Sequence, residues 1–193
     1  AFLLLCMIQL INMAAKTSYM FAGACNVPMV VRAIIGRSWG QGAQHSQALH
    51  SFFMHVPGIK VVAPTTPHDA KGCLIAAIRD DNPVIFMEHR MLYGNRGVVP
   101  KEIYEVPFGQ ARQLTEGQDI TIVGVSHMVV ECLRAAQVLK DVGISAEVID
   151  PVTLAPLDIK AILTSVNKTG HLLIVDTSWT ICGAGSEIVA RIV

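Results

Sequence analysis

The chain has 193 residues, 52% of them apolar and 16% charged, so it can bury a sizeable core, which excludes a disordered tail. Formal net charge is zero and no lysine/arginine cluster occurs, which argues against a dedicated nucleic-acid binder. Five widely spaced cysteines without a C-x-x-C pair argue against a disulfide framework or a zinc site and fit reduced thiols, in the cytoplasm or in a mitochondrial matrix or plastid.

The opening AFLLLCMIQLINMAAK lacks a basic leader and is interrupted by Gln9 and Asn12, so it reads as a core helix ending near Tyr19 to Gly23. No run reaches the roughly 18 apolar residues needed to cross a bilayer, so no membrane partner is expected. VPMVVRAII, Val27 to Ile35, is a continuous β-branched run and predicts a strand buried on both faces. Charge is uneven here: no Asp or Glu precedes Asp69, whereas Lys16, Arg32, Arg37 and Lys60 do. That suits an anionic ligand or an acidic partner, and equally a buried sheet with few solvent positions.

The stretch Gly36 to Val56 follows. A basic loop with Arg37, Trp39, Gly40 and Gly42 leads into a segment where Leu49, Phe52, Phe53 and Val56 recur at helical steps. His45 is expected in the first turn of that helix, where exposed N–H groups favour a neutral imidazole able to donate to or accept from a reacting group. His45, His50 and His55 look metal-like, but five-residue steps rotate each by about 140°, so they do not converge on one ion.

Lys60 to Pro64 predicts a second strand. Thr66, Pro67 and Asp69 mark a helix start, Asn82-Pro83 its stop, and Val84 to Glu88 a third strand. This alternation predicts an α/β layer with a largely parallel sheet, whose ligand sites lie beyond the strand carboxyl ends. Residues 93–117, rich in Gly, Pro and charge, read as a linker between a domain at 1–92 and a second at 118–193. The second unit holds a strand in DITIVGV, a helix in MVVECLRAAQVLKDVG, a strand ending near Asp150, a helix in PLDIKAILTSVNKTG, a strand in HLLIVDTSW and a helix opening at GAGSEI. GAGSEI does not match a dinucleotide fingerprint, and no G-K-[ST] follows GRSWG as a P-loop requires.

Three long stretches, GAQHSQALHSFFMHVPGIKVVAPTTPHDAKG, AIRDDNPVIFMEHRMLYG and VIDPVTLAPLD, resemble the beta subunit of the thiamine-diphosphate-dependent 2-oxoacid dehydrogenases. The resemblance implies an α/β chain: a truncated transketolase-like pyrimidine-binding domain with a parallel sheet, then a transketolase C-terminal-type α/β domain. It assigns His45 as the active-site histidine near the cofactor and Phe2 as an aromatic packed on the cofactor pyrimidine. It also assigns Met29, Ala77, Ile78, Asp80 and Asn82 to a structural potassium site; the residues alone read equally as an Asp/Asn turn capping a helix.

The implied activity is oxidative decarboxylation of a 2-oxoacid such as pyruvate, with acyl transfer to a lipoyl group on an acyltransferase component. The diphosphate and magnesium would sit on an alpha subunit. The family's cofactor-activating glutamate has no counterpart before Asp69, and the chain reads as truncated at both ends. Ile8, Met13, Ile34-Ile35, Val152, Ala155 and Asp176-Thr177 depart from the family pattern. A homodimer through the first third is expected, and the alternative reading is a non-catalytic paralogue serving as an interaction module.

Overall fold

The computed structural model describes residues 2–193, with side chains from Leu3 onward. Two four-stranded sheets form the frame. The first has the order β1 (Val30–Ile35), β3 (Val84–His89), β2 (Lys60–Val62), β7 (Thr153–Ala155); β1, β3 and β2 are parallel and β7 is antiparallel to β2. The second has the order β4 (Arg112–Gln113), β6 (Ala146–Asp150), β5 (Ile120–Gly124), β8 (Leu172–Val175), with only β4 antiparallel.

Each sheet is covered on both faces, as parallel sheets require. On the first, α2 (His50–Met54) and the N-terminal segment pack Leu10, Phe53 and Val56 against Ile35, Val61, Ile85 and Met87. The opposite face packs Val62, Val84 and Phe86 under α3 (Pro67–Ile78), through Cys73 and Ala77. Thr66 caps α3 as its sequence indicates, accepting from Asp69 N–H at 3.0 Å, with Pro67 in the first turn. On the second sheet, α4 (Met128–Asp141) buries Cys132 and Ala136 against Ile122 and Val148. α5 (Ile159–Thr169) and α6 (Ala184–Ile192) bury Ile162 and Ile188 against Val123 and Ile149. Gly170 ends α5 in the left-handed region (φ 71°). Thr121 Oγ1 meets Ser165 Oγ at 2.6 Å and Thr169 Oγ1 at 2.8 Å, tying α5 to β5 by hydroxyls buried in the core.

Three expectations differ from the fold. β1 is an edge strand, with Arg32 and Ile34 exposed, so only part of its apolar run is buried. The opening segment winds as a 3₁₀ turn (Phe2–Cys6), a π segment (Ile8–Ala14) and then α1 (Ala15–Met20). It is not a core helix: Leu10 and Ala15 are buried, while Leu5, Ile8, Met13, Tyr19 and Met20 face outward. Leu3–Met20 also has the length and mean hydropathy (1.2 over 18 residues) to cross a membrane, a test that a covered helix passes as well. Residues 93–111 hold no helix or strand. The halves nevertheless interlock, because β7 returns from the second half to extend the first sheet.

Candidate active site

The loop leaving the carboxyl end of β1 is shaped by close approach. Gly36 has φ +80°, and a Cβ there would lie 2.0 Å from His89 Nε2, so only glycine lets the His89 ring lie against this backbone. Gly36 N–H donates to Gln47 C=O at 3.0 Å and closes a loop around Gly40 and Gly42, both in the left-handed region. Within it Ala43–His45 makes a single 3₁₀ turn, held by Ser46 Oγ on Gly42 C=O (2.8 Å) and Gln47 Nε2 on Gln44 C=O (3.1 Å).

His45 therefore ends a 3₁₀ turn and does not begin the helix, which starts only at His50. The glycines shape a loop too irregular for the helical pattern to run through it, and the helix-terminus argument for a neutral His45 does not apply. The expected apolar face divides in the same way. Phe53 and Val56 are buried, Leu49 is half-buried and Phe52 points outward.

His45 is exposed and lines a cavity of about 300 Å³ at the outer end of the first sheet. Leu3, Ile35, Leu49, Phe53 and Met87 supply apolar wall, and Gln44, Gln47, Arg32 and Arg90 the polar groups. Apolar faces with a few amides at the rim fit a flat heteroaromatic ring such as the thiamine pyrimidine. No Asp or Glu lines the cavity among the described residues, so a carboxylate on the aminopyrimidine would come from elsewhere. The Phe2 side chain lies outside the described residues, although its neighbours Leu3 and Leu4 line the same cavity. A larger cavity, about 630 Å³ between α2 and α6, holds His55 and Cys182 but not His45.

The five residues assigned to potassium surround one turn. Ala77 and Ile78 end α3, and Ala77 C=O accepts from Asp80 N–H at 3.3 Å. Met29 is brought alongside by sheet pairing, its carbonyl accepting from Val84 N–H at 2.9 Å. Asp80 takes the Lys60 ammonium on one oxygen and Asn82 N and Nδ2 on the other, at 2.9 and 3.0 Å. Burial pushes this carboxyl upward, but the Lys60 and Asn82 donors outweigh it and hold it below the usual carboxylate range. With Lys60 already balancing Asp80, a monovalent ion at this turn would draw mainly on carbonyl oxygens.

Sequence reasoning missed the polar seam between the two sheets. His50, fully buried, places Nε2 3.0 Å from Asp176 Oδ2, across 126 positions of sequence. Burial works against this carboxylate, yet His50 and Ser178 hold it below its ordinary value. His89 and His127 stack with ring centroids 4.8 Å apart. Burial first, then His127, Arg37 and Arg90, drive His89 down to about 4, and its Nδ1 accepts from Met91 N–H at 3.2 Å, as a neutral ring can. Burial also lowers His127. Arg112 Nη1 reaches both oxygens of the buried Asp69, at 2.6 and 2.5 Å. Nothing in the local pattern pairs these residues; the only signal was an unusual density of histidines.

With this geometry in place, comparison with known proteins decides the family. A model described as the pyrimidine binding domain of transketolase matches residues 1–96, and one described as the transketolase C-terminal domain matches residues 109–193. The chain belongs to the transketolase-like family. It is 47% identical over 191 residues to the beta subunit of acetoin:2,6-dichlorophenolindophenol oxidoreductase of Cupriavidus necator, covering 99% of this chain and 56% of that one. It is also 47% identical over 188 residues to the mitochondrial pyruvate dehydrogenase E1 component subunit beta of Caenorhabditis elegans, covering 95% and 53%. The transketolase-like chain thus spans about half the length of the curated relatives it matches. A solved split-gene transketolase, described as an inactive beta4 tetramer, superposes with a TM-score of 0.73 at 23% identity, over 92% of this chain and 60% of that one. At that identity it speaks for the fold alone.

Proposed function

We propose that this chain is the beta-subunit portion of a 2-oxoacid dehydrogenase decarboxylating component, acting on a substrate such as pyruvate with an alpha subunit that completes the site. The observation that carries this reading is His45 on the rim of a part-apolar cavity at the outer end of a parallel sheet. It is supported by the likeness to named pyruvate dehydrogenase and acetoin oxidoreductase beta subunits. Residues 1–92 serve as the pyrimidine-binding unit and 118–193 as the C-terminal-type unit, with 93–117 as the linker, whose last part carries β4 into the second sheet. Thiamine diphosphate, when bound, supplies the electron sink for carbon dioxide loss.

The protein side holds and moves protons. His45 is presented on a short, internally hydrogen-bonded turn, so its ring meets the reacting group without first being ordered. Leu3, Leu49 and Phe53 would keep water from the ring it faces, and Phe2, whose side chain lies outside the described residues, is the aromatic assigned to the pyrimidine. The diphosphate and magnesium belong to the alpha subunit, and the acyl group leaves on a lipoyl-bearing acyltransferase component. Potassium sits at the Ala77–Asn82 turn with Met29 and stiffens the end of α3 beside β1. The outward apolar residues of Leu3–Met20 make the first third the contact face, including that of a homodimer. Its compartment keeps thiols reduced, cytoplasm or organelle matrix; the C. elegans relative is named as mitochondrial.

The test is His45→Ala in the full-length subunit assembled with an alpha subunit. Lipoyl acylation is expected to fall by more than about a hundredfold with the circular dichroism unchanged. Unchanged acylation would remove His45 from the mechanism. One observation favours a non-catalytic interaction module: among the described residues no carboxylate lines the His45 cavity. Calorimetry separates the two, since a module binds no thiamine diphosphate even with the alpha subunit present.

A further inference from the structure

The cavity is charged on one side only. Arg32, Arg90 and His45 line it without any acidic residue among those described. The two guanidinium groups are not equivalent. Arg32 is already paired with Glu88, which also accepts from Tyr93 Oη at 2.8 Å. Arg79, Arg112, Arg134 and Arg191 likewise meet carboxylates. Half-buried Arg90 donates instead to the neutral amide oxygen of Gln41, on the glycine-flanked loop that carries His45, and has no ion pair among the described residues. Its neighbour His89 is held down first by burial and then by His127, Arg37 and Arg90. A guanidinium facing partly apolar walls, with only an amide for company, is a receptor for an oxyanion that brings its own charge.

We propose that Arg90 is a specificity-determining residue that seats the carboxylate of an anionic 2-oxoacid in the His45 cavity. The substrate's identity rests on the function proposed above; the oxyanion site rests on Arg90 and its surroundings alone. Gln41 is the placeholder: its amide gives up the guanidinium when a carboxylate arrives, exchanging a neutral hydrogen bond for a charge-assisted one. The contact is made in the bound ground state, so it governs affinity. A neutral hydroxyketone such as acetoin has no carboxylate and does not depend on it.

The experiment uses the full-length subunit assembled with its alpha subunit, as wild type, Arg90→Gln, Arg90→Lys and the exposed control Arg134→Gln, each checked by circular dichroism. Oxamate, an unreactive 2-oxoacid isostere, is titrated calorimetrically into cofactor-free complex. Affinity is expected to fall about tenfold or more in Arg90→Gln, to be partly kept in Arg90→Lys and to be unchanged in Arg134→Gln. With cofactor, the KM for pyruvate rises in parallel and by far more than the KM for acetoin. Oxamate affinity equal in wild type and Arg90→Gln, no oxamate binding to wild type, or equal loss for pyruvate and acetoin each overturns the proposal. So does loss of inorganic pyrophosphate binding instead of oxamate binding, which assigns the cavity to a diphosphate. Loss of oxamate binding in a complex that turns over neither substrate upholds the anion site and defeats only the catalytic reading.

Discussion

The two sheets come together at a shared seam but finish their strand ends differently. In the second sheet β6 is buried along its whole length and β5 nearly so, between α4 on one face and α5 and α6 on the other. In the first, β1 runs along an edge with Ile34 48% exposed, and the loop beyond it holds His45 out toward solvent. The second sheet has open edges as well, β4 and β8 with Leu173 46% exposed; what sets the candidate site apart is the open loop at the carboxyl end of β1. Its seam-side neighbours His50, His89 and His127 are buried and fixed. A parallel sheet can support a reactive residue only where its strand ends are left open to a ligand, and the rigidity for doing so comes from the closed side.

Breaking the closed side should cost the most. Gly36→Ala forces a side chain both into the left-handed region and into the His89 ring, and a loss of about 3 kcal/mol is expected in urea denaturation. A change below about 1 kcal/mol would mean the loop relaxes freely, and the contrast between rigid seam and open rim would fail. His50→Ala leaves the buried Asp176 carboxylate with only Ser178 and should cost about 2–3 kcal/mol by the same measurement. If Asp176→Asn is as disruptive as His50→Ala and the double variant is no worse, the pair acts as one unit; strict additivity argues against it.

Acid sharpens the comparison further, and the signs can be worked out. His89 titrates near 4 when folded against 6.5 unfolded, so the unfolded chain binds more protons and stability falls as pH drops from 6.5 toward 4. Asp150, raised to about 6 mainly by burial from an ordinary 3.8, acts oppositely: folded chains bind the extra proton, so stability rises as pH drops from 6 toward 4. From pH 7 to 5 the two nearly offset, and from these groups the wild type should lose less than about 1 kcal/mol. Asp150→Asn removes the offset, and the loss should grow to about 2 kcal/mol. Identical pH profiles for the two proteins would refute the account of these buried groups. The smallest effect belongs to the potassium turn. Replacing sodium by potassium at constant ionic strength is expected to raise Tm by about 2 °C, and equal melting in both salts would count against an ion there.

The helices of the second half and its strands β5, β6 and β8 were legible because their signals are local, whereas β4, inside the expected linker, and the three-residue β7 were not. Asp158 caps α5, Gly170 ends it, and the apolar runs of β5, β6 and β8 lie between polar turns. The Thr66-Pro67 start of α3 was legible for the same reason. The His45 loop was harder. Its residues were identified, but a helical spacing from Leu49 onward was carried back to His45, which ends a 3₁₀ turn five residues before the helix begins. The opening segment was misread as core because hydropathy reports what a helix tends to bury, not what stands beside it.

The sequence by itself determined most of the longer helices and strands, the parallel α/β character and the family, because periodicity, capping chemistry and long motifs are written within a few tens of residues. Only the tertiary structure decided that His50 meets Asp176, that His89 lies against Gly36, that β7 joins the first sheet and that, among the described residues, Arg90 has no carboxylate as Arg32 does. Those facts depend on which buried polar groups find partners across the seam. Burial makes each such pairing strong, but nothing along the chain specifies the partner.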